Sequence, residues 1–389
     1  MNKIPFGYKL TEVGVIPEDW ESEKLGECLL KNPDYGINAA SVRFDDTLPT
    51  YLRITDISET GKYLSSNKVS VNNILSSSYY LEEGDIVFAR TGASVGKTYL
   101  YDKNDGKLVF AGFLIRVKAN PEILDCKYLF FLTQTKSYWT WVVANSMRSG
   151  QPGLNSNEYK SFQIPVPSLT EQTLIATALS DADALITSLE KLIAKKRNIK
   201  QGAMQELMKP KEGWEVKKLG DIAEIYTGKK NNQDKVENGL YPFFVRSKTV
   251  EKINSYSFDG EAILIPGEGN IGSIFHYING KFDYHQRVYK ISNFKEGYFG
   301  KYIYRYISEY FGNHAMQNSV KATVDSLRLP TFQVFKIPFP PTYEEQTSIA
   351  TILSDMDAEI KALESKLEKY RNIKLGMMQV LLTGKIRLV

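Results

Sequence analysis

The chain has 389 residues, 42% of them apolar and 24% charged, and a formal net charge of +4. That composition is ordinary for a globular protein and sets the expectation at two to three domains. No run of about 18 apolar residues offers a membrane span, the opening MNKIPFGYKLTEVG has no apolar signal core, and two distant cysteines, Cys28 and Cys126, fit a reducing cytoplasm.

In chain order, Trp20 with Leu25-Gly26 opens the first half. Residues 50–120 alternate short apolar or β-branched runs with Gly, Asn and Ser turns, which is a strand pattern, and 122–145 reads as a helix rich in aromatic residues. The Pro-spaced strand Ile164-Pro165-Val166-Pro167 leads into a long helix predicted over Thr170–Met208, with Thr170 as N-cap and Pro210 as stop. Ala178, Ala182, Leu185, Leu189, Leu192, Ile199 and Ala203 step by three and four, with Lys196 in the one polar slot, and form a heptad seam. About 39 residues at 1.5 Å each give a rod of roughly 58 Å, which needs a partner seam.

The pattern then repeats. Trp214 with Leu219-Gly220 opens a second half at an offset of 194 (214 − 20), strands fill 238–293, a helix is expected over 297–317, and Ile337-Pro338-Phe339-Pro340-Pro341 leads into a second long helix. Residues 345–379 restate residues 171–205 at a constant offset of 174 (345 − 171), sharing Glu171/Glu345, Gln172/Gln346, Asp183/Asp357, the tetrapeptide Arg197–Lys200 with Arg371–Lys374, and Gly202/Gly376. The second seam is Ile349, Ile352, Met356, Ile360, Leu363, Leu367, Tyr370 and Met377. Two copies are too few for a solenoid. The expected fold is α+β: two domains with twisted β-sheets, separated by two long repeated helices that form an antiparallel coiled coil with pseudo-two-fold symmetry. The expected boundaries are 1–168, 169–209, 210–341 and 342–389. Such symmetry matches the near two-fold symmetry of duplex DNA.

Several catalytic motifs fail on context. Gly92-Ala93-Ser94-Val95-Gly96-Lys97-Thr98 is one residue short of a phosphate loop and runs into a strand. Gly267-Glu268-Gly269-Asn270-Ile271-Gly272 fits GxGxxG but also precedes a strand, so no helix dipole waits for a pyrophosphate. Both read as one β-turn at equivalent places. Asn32-Pro33-Asp34-Tyr35 departs from the Asn-Pro-Pro-Tyr of amino-methyltransferases, and His276, His285 and His314 have no metal-ligand spacing. The chain reads as non-catalytic.

The two helices with their PxP-x-x-x-EQ entries, the Trp and Leu-Gly openings, Gly84-Asp85-Ile86 with its turn, Ser149-Gly150-Gln151-Pro152-Gly153-Leu154-Asn155, and the tail Leu381-Leu382-Thr383-Gly384-Lys385 resemble the specificity subunit of type I restriction–modification systems over essentially the whole chain. In the second half Val320-Lys321-Ala322-Thr323-Val324 departs from that pattern. The resemblance implies two target-recognition domains that read the two parts of a split, asymmetric DNA sequence. It implies no cofactor in this chain, two methyltransferase subunits that bring S-adenosylmethionine, and restriction subunits, where present, that bring ATP and Mg. Base readout needs Arg or Lys for guanine and Asn or Gln for adenine on exposed loops. The candidates are Arg90, Thr91, Ser94, Lys97, Arg148, Ser149 and Gln151 in the first half, and Arg246, Lys248, Asn270, Gln286, Arg287, Lys321 and Thr323 in the second. Arg197, Asn198, Lys200, Arg371, Asn372 and Lys374 form a duplicated candidate docking surface for the methyltransferase partners. The competing readings are a coiled-coil adaptor that joins two proteins without DNA, and an enzyme in its own right.

Overall fold

A computed structural model describes residues 4–147, 150–319 and 326–388. The chain forms two compact units: residues 1–190 with 366–389, and residues 191–365. Each unit takes part of both long helices, so the units cut across the helix boundaries that the sequence marks.

In the first unit a hairpin, β1 (Tyr8–Thr11) and β2 (Gly14–Pro17), precedes β3 (Glu21–Lys24). One four-stranded sheet has the order β4-β11-β8-β9, built from β4 (Asp34–Tyr35), β8 (Asp85–Ala89), β9 (Thr98–Leu100) and β11 (Leu114–Lys118). A second, β10-β6-β7-β5, joins β5 (Ser41–Arg43), β6 (Thr50–Leu52), β7 (Val69–Val71) and β10 (Leu108–Phe110), with β6 and β10 parallel. The helix expected over 122–145 is two helices, α1 (Cys126–Leu132) and α2 (Lys136–Ser146). Thr133 and Thr135 break it: their hydroxyls donate to Phe130 O and Leu132 O, and the Thr135 hydroxyl also caps α2. Then come α3 (Ser156–Lys160), β12 (Gln163–Val166) paired with β3, and α4 (Leu169–Leu207). Pro165 is tolerated because β12 lies in a two-stranded pairing. Ser168, not Thr170, caps α4, its Oγ accepting from Glu171 N at 3.3 Å.

The second unit repeats the plan. β13 (Glu215–Lys218) pairs with β20 (Lys336–Phe339), and α5 (Leu219–Ile222) and α7 (Leu329–Gln333) flank that pair. One six-stranded sheet has the order β14-β19-β17-β18-β15-β16. Its strands are β14 (Glu224–Thr227), β15 (Tyr241–Phe244), β16 (Val250–Ile253), β17 (Phe258–Pro266), β18 (His276–Tyr284) and β19 (Val288–Ser292). α6 (Gly300–Gln317) and α8 (Tyr343–Leu381) complete it.

The repeated residues are structural staples. The Gln172 amide donates to Ile123 O and accepts from Asp125 N, and the Gln346 amide donates to Gly297 O and accepts from Phe299 N, every partner shifted by 174. A Cβ on Gly26 would sit 3.0 Å from Lys160 Cβ, and one on Gly220 would sit 3.0 Å from Gln333 Cβ, so the Leu-Gly openings are the residues that let these segments meet. Glu171, buried, accepts from Trp20 Nε1 at 3.0 Å and from Arg387 Nε at 2.7 Å.

Within each unit the two long helices pack antiparallel into a common core. Ile175, Ala176 and Leu179 of α4 share one with Met378 and Leu381 of α8, and Met204 and Met208 share another with Ile349, Ala350 and Leu353. In the first helix one column of the seam is a residue off the expected one, whereas the second seam is as expected at Ile349, Ile360 and Leu367, all buried. Ile186 and Ile193 are buried while Leu185, Leu192 and Ile199 are 37%, 37% and 47% exposed, and Ile352 is 40% exposed. The column through Ala182, Leu189, Lys196 and Ala203 does turn inward. Its true companion is Leu179, Ile186, Ile193 and Lys200, and Lys200 disguises it because its polar end is satisfied by Asp357.

Candidate nucleic-acid interface

At one end of the first unit's main sheet four segments are stitched together by backbone hydrogen bonds. Gly36 N donates to Leu114 O, Gly112 N to Ile37 O, Arg90 N to Phe113 O, Gly92 N to Pro152 O and Leu154 N to Arg90 O, at 2.8–3.1 Å. A Cβ on Gly36 would lie 2.2 Å from Ala111 O, so only glycine admits this approach. The phosphate-loop look-alike is a single 3-10 turn at Gly92–Ser94 followed by β9, with Gly92 at φ +69°. Gln151 packs over that glycine, and the guanidinium of Arg90 lies 4.8 Å from the ring centroid of Tyr35. Phe113, at the tip between β10 and β11, is 58% exposed. The platform therefore gathers Arg90, Thr91 and Gln151, with Ser94 half-buried in the turn. Lys97 is drawn aside, its ammonium 2.6 Å from Glu59. Arg148 and Ser149 lie outside the described residues.

The same stitching recurs in the second unit. Gly267 N donates to Arg287 O, Gln286 N to Lys230 O and Leu327 N to Gly267 O, at 2.7–2.8 Å. This puts Arg287 where Phe113 stands, Gln286 at Gly112, Gly267 at Arg90 and Glu268 at Thr91, the last confirmed by the bridges Thr91–Gly153 and Glu268–Ser326. The chemistry changes on this shared frame. Glu268 is 3.3 Å from Arg246 and 3.3 Å from Arg287. His285 is buried and its Nδ1 accepts from Arg287 N at 2.9 Å. Burial, then the nearby Arg246 cation, pushes the His285 pKa below the usual imidazole value, which keeps the ring a neutral acceptor. Lys248, Asn270 and Gln286 are exposed. Lys321 and Thr323 lie outside the described residues.

Sequence reasoning missed Tyr35, Phe113, Glu268 and His285. Tyr35 belongs to the Asn-Pro-Asp-Tyr motif, set aside for want of a cofactor fold, and Glu268 to the declined GxGxxG. Each motif marked a real loop and misstated its chemistry. Strand register matches Val87 with Leu264 and Asp85 with Ala262, so Gly84 corresponds to Glu261.

The duplicated helix face is partly spent within the units. Arg197 is 2.5 Å from Glu364 and Lys200 2.5 Å from Asp357; their counterparts Arg371 and Lys374 are each 2.7 Å from Glu190 and Asp183. All partners again differ by 174, so one pair of bridges is written twice. Asn198 and Asn372 remain exposed. Beside them lie Ile199 and Ile373, 47% and 42% exposed, and Gly202 and Gly376, where an added Cβ would meet nothing within 4 Å.

Two units of one plan, each ending in a loop platform that carries arginine and exposed amide groups and each including part of both repeated helices, have the architecture of a duplicated DNA specificity protein. A family model for the Type I restriction modification DNA specificity domain matches residues 17–201 and again 211–369. The chain belongs to that family, the specificity subunits of type I restriction–modification systems. It is 26% identical to the MjaVIII type I restriction enzyme specificity subunit of Methanocaldococcus jannaschii, over 96% of this chain and 94% of that protein. It is 28% identical to the putative MjaX specificity subunit of the same organism, over 98% and 96%. Among solved structures, the S subunit of the M. genitalium type I system has the same fold, with a TM-score of 0.66 at 16% identity over 96% of this chain and 97% of that one. Among the described residues no helix is long and apolar enough to cross a membrane, and no group of His, Cys, Asp or Glu is disposed to hold a metal ion.

Proposed function

We propose that the chain reads a split, asymmetric double-stranded DNA target, each loop platform taking one half-site, and that it docks two copies of a methyltransferase subunit. One observation carries the reading: the same stitched platform occurs in both units with different side chains at matching places, Phe113 against Arg287 and Arg90 against Gly267. A shared frame with changed tips suits two readers of different sequences. The candidates Arg90, Thr91, Ser94, Lys97, Gln151, Arg246, Lys248, Asn270, Gln286 and Arg287 are proposed as contacts to bases or phosphates, as are Arg148, Ser149, Lys321 and Thr323.

Docking is proposed on the helix faces around Asn198, Ile199 and Gly202 and around Asn372, Ile373 and Gly376. An exposed isoleucine beside a helical glycine is locally unfavourable, the glycine alone by roughly 1 kcal/mol relative to alanine. The chain carries this pair twice, which suits one kind of partner bound twice. The cations Arg197, Lys200, Arg371 and Lys374 hold the helices together there. S-adenosylmethionine belongs to the methyltransferase partner, and ATP with Mg to a restriction partner where one exists.

The test is genomic methylation mapping with and without this chain. A split motif that disappears on deletion supports the reading. An unchanged methylome, together with no salt-dependent DNA affinity for the chain assembled with its partners, would leave the adaptor reading standing instead.

A further inference from the structure

The three charges at the second platform form a unit of their own. Glu268 Oε2 lies 3.3 Å from Arg246 Nη1 and Glu268 Oε1 lies 3.3 Å from Arg287 Nε. Arg246 follows β15 and Arg287 precedes β19, so one carboxylate ties together arginines from separate loops. The backbone beneath is fixed: Gly267 N donates to Arg287 O at 2.8 Å, and Arg287 N donates to the buried ring of His285 at 2.9 Å. The Glu268 side chain is 24% exposed while those of Arg246 and Arg287 are 42% and 58% exposed, so the carboxylate lies below and the guanidinium groups face out.

This arrangement fits a base better than a phosphate. A carboxylate beside the contact repels a phosphate. It also holds the guanidinium in one orientation, which lowers the cost of ordering a long side chain on binding. With its Nε edge turned to Glu268, Arg287 keeps its Nη donors for a ligand. Guanine offers two adjacent acceptors, N7 and O6, in the major groove, the pattern that two parallel N–H groups match.

We infer that Arg287, held in place by Glu268, reads a guanine in the half-site of the second unit. Arg246 completes the clamp, and Glu268 is a positioning residue. The inference rests on the proposal that these loops meet DNA.

The test uses the chain assembled with its methyltransferase partners. The methylation motif is mapped first, and each guanine of the second half-site is then replaced in turn by 7-deazaguanine, which lacks the N7 acceptor. At one position the wild-type complex should lose affinity by on the order of tenfold. Arg287→Ala and Arg287→Lys should show no further loss at that position, because the contact is already gone. Glu268→Gln keeps the shape and removes the charge. It should narrow the guanine-to-adenine preference there several-fold while leaving affinity for unrelated DNA at least as high. A second half-site without any G·C pair overturns the inference. So does an Arg287→Ala complex with unchanged base preference, or one that loses equally on all duplexes with a shallower salt dependence. A Glu268→Gln complex with full discrimination overturns the positioning role. A wild-type complex with no sequence-dependent binding would sink the proposed function instead, so the two failures are distinguishable.

Discussion

The two units solve one packing problem twice, and they receive a buried cation of the sheet in different ways. Arg116 in β11 and Lys290 in β19 occupy the same place, 174 residues apart, and both are buried. Arg116 faces Asp34 across the strand pair, at 2.5 Å, and reaches Asp85 at 3.5 Å. Lys290 faces Tyr226, and Ala262 stands where Asp85 does. Its ammonium rests 3.5 Å from the Phe258 ring centroid, and it makes no ion pair among the described residues. Burial lowers its pKa. The frame fixes where a long cationic side chain runs, while the neighbours decide whether an ion network or an aromatic bed receives it.

Removing each cation in turn should separate the two units most strongly. Arg116→Met takes from the buried Asp85 and from Asp34 their shared guanidinium partner, leaving only Lys118 at 3.7 Å and Lys31 at 3.9 Å, and should cost about 3 kcal/mol. Lys290→Met replaces a desolvated, unpaired ammonium by an apolar chain of similar length, and its effect should stay within about 1 kcal/mol of zero. Hydrogen exchange of the core amides of each unit measures both. Equal losses would show that Lys290 has a counter-ion of its own, and the contrast between the units would fall.

How much of this was legible before folding follows the same division. The helices, the Pro-spaced strands and the repeat were readable because each rests on local periodicity or on identity at fixed offsets. The seam was half readable in the first helix, where Lys200 hides one column because only the folded structure shows Asp357 waiting for it, and nearly all readable in the second, where Ile360 and Leu367 mark the same column. The platforms were legible as turns, since Gly92 and Gly269 need positive φ, but not as sites. Tyr35 and Arg90 are 55 residues apart (90 − 35) and meet only through strand pairing. The offset also drifts, from 194 at the openings to 177 in β8 and β17 and 174 beyond β10. Extra residues in the first unit lie before β8 and in the turn at Lys103–Asp105, which splits what is one long strand, β18, in the second unit.

A smaller effect is expected at the first platform. Arg90→Ala or Phe113→Ala should weaken binding to the first half-site by roughly tenfold, about 1.4 kcal/mol, and leave the second untouched. Tyr35→Leu removes the ring under Arg90 and should reproduce part of the Arg90→Ala loss, whereas Tyr35→Phe should not. Titration with duplexes altered in one half-site at a time measures this. Equal loss on every duplex would reassign both residues to general backbone contact and erase the contrast with Arg287.

The least of these effects separates the units by pH. All three histidines lie in the second half of the sequence, and burial lowers the pKa of both His276 and His285. A histidine whose folded pKa is depressed binds its proton more readily when unfolded. Its contribution is therefore complete above the ordinary value of 6.5 and is lost as the pH falls from there through the folded pKa. Groups facing His285 include Arg246 and Arg287, which oppose protonation, and Glu268 and Asp234, which favour it; the net direction is still downward. Protonation of His285 at Nδ1 would also remove the acceptor for Arg287 N and release the loop that carries it. Protection of the 285–288 amides, taken relative to their intrinsic exchange rates, should fall as the pH drops below 6.5 while that of the matching 111–114 amides should not. If both loops loosened together over that range, carboxylates common to the two units would be the cause, and the histidine account would fail.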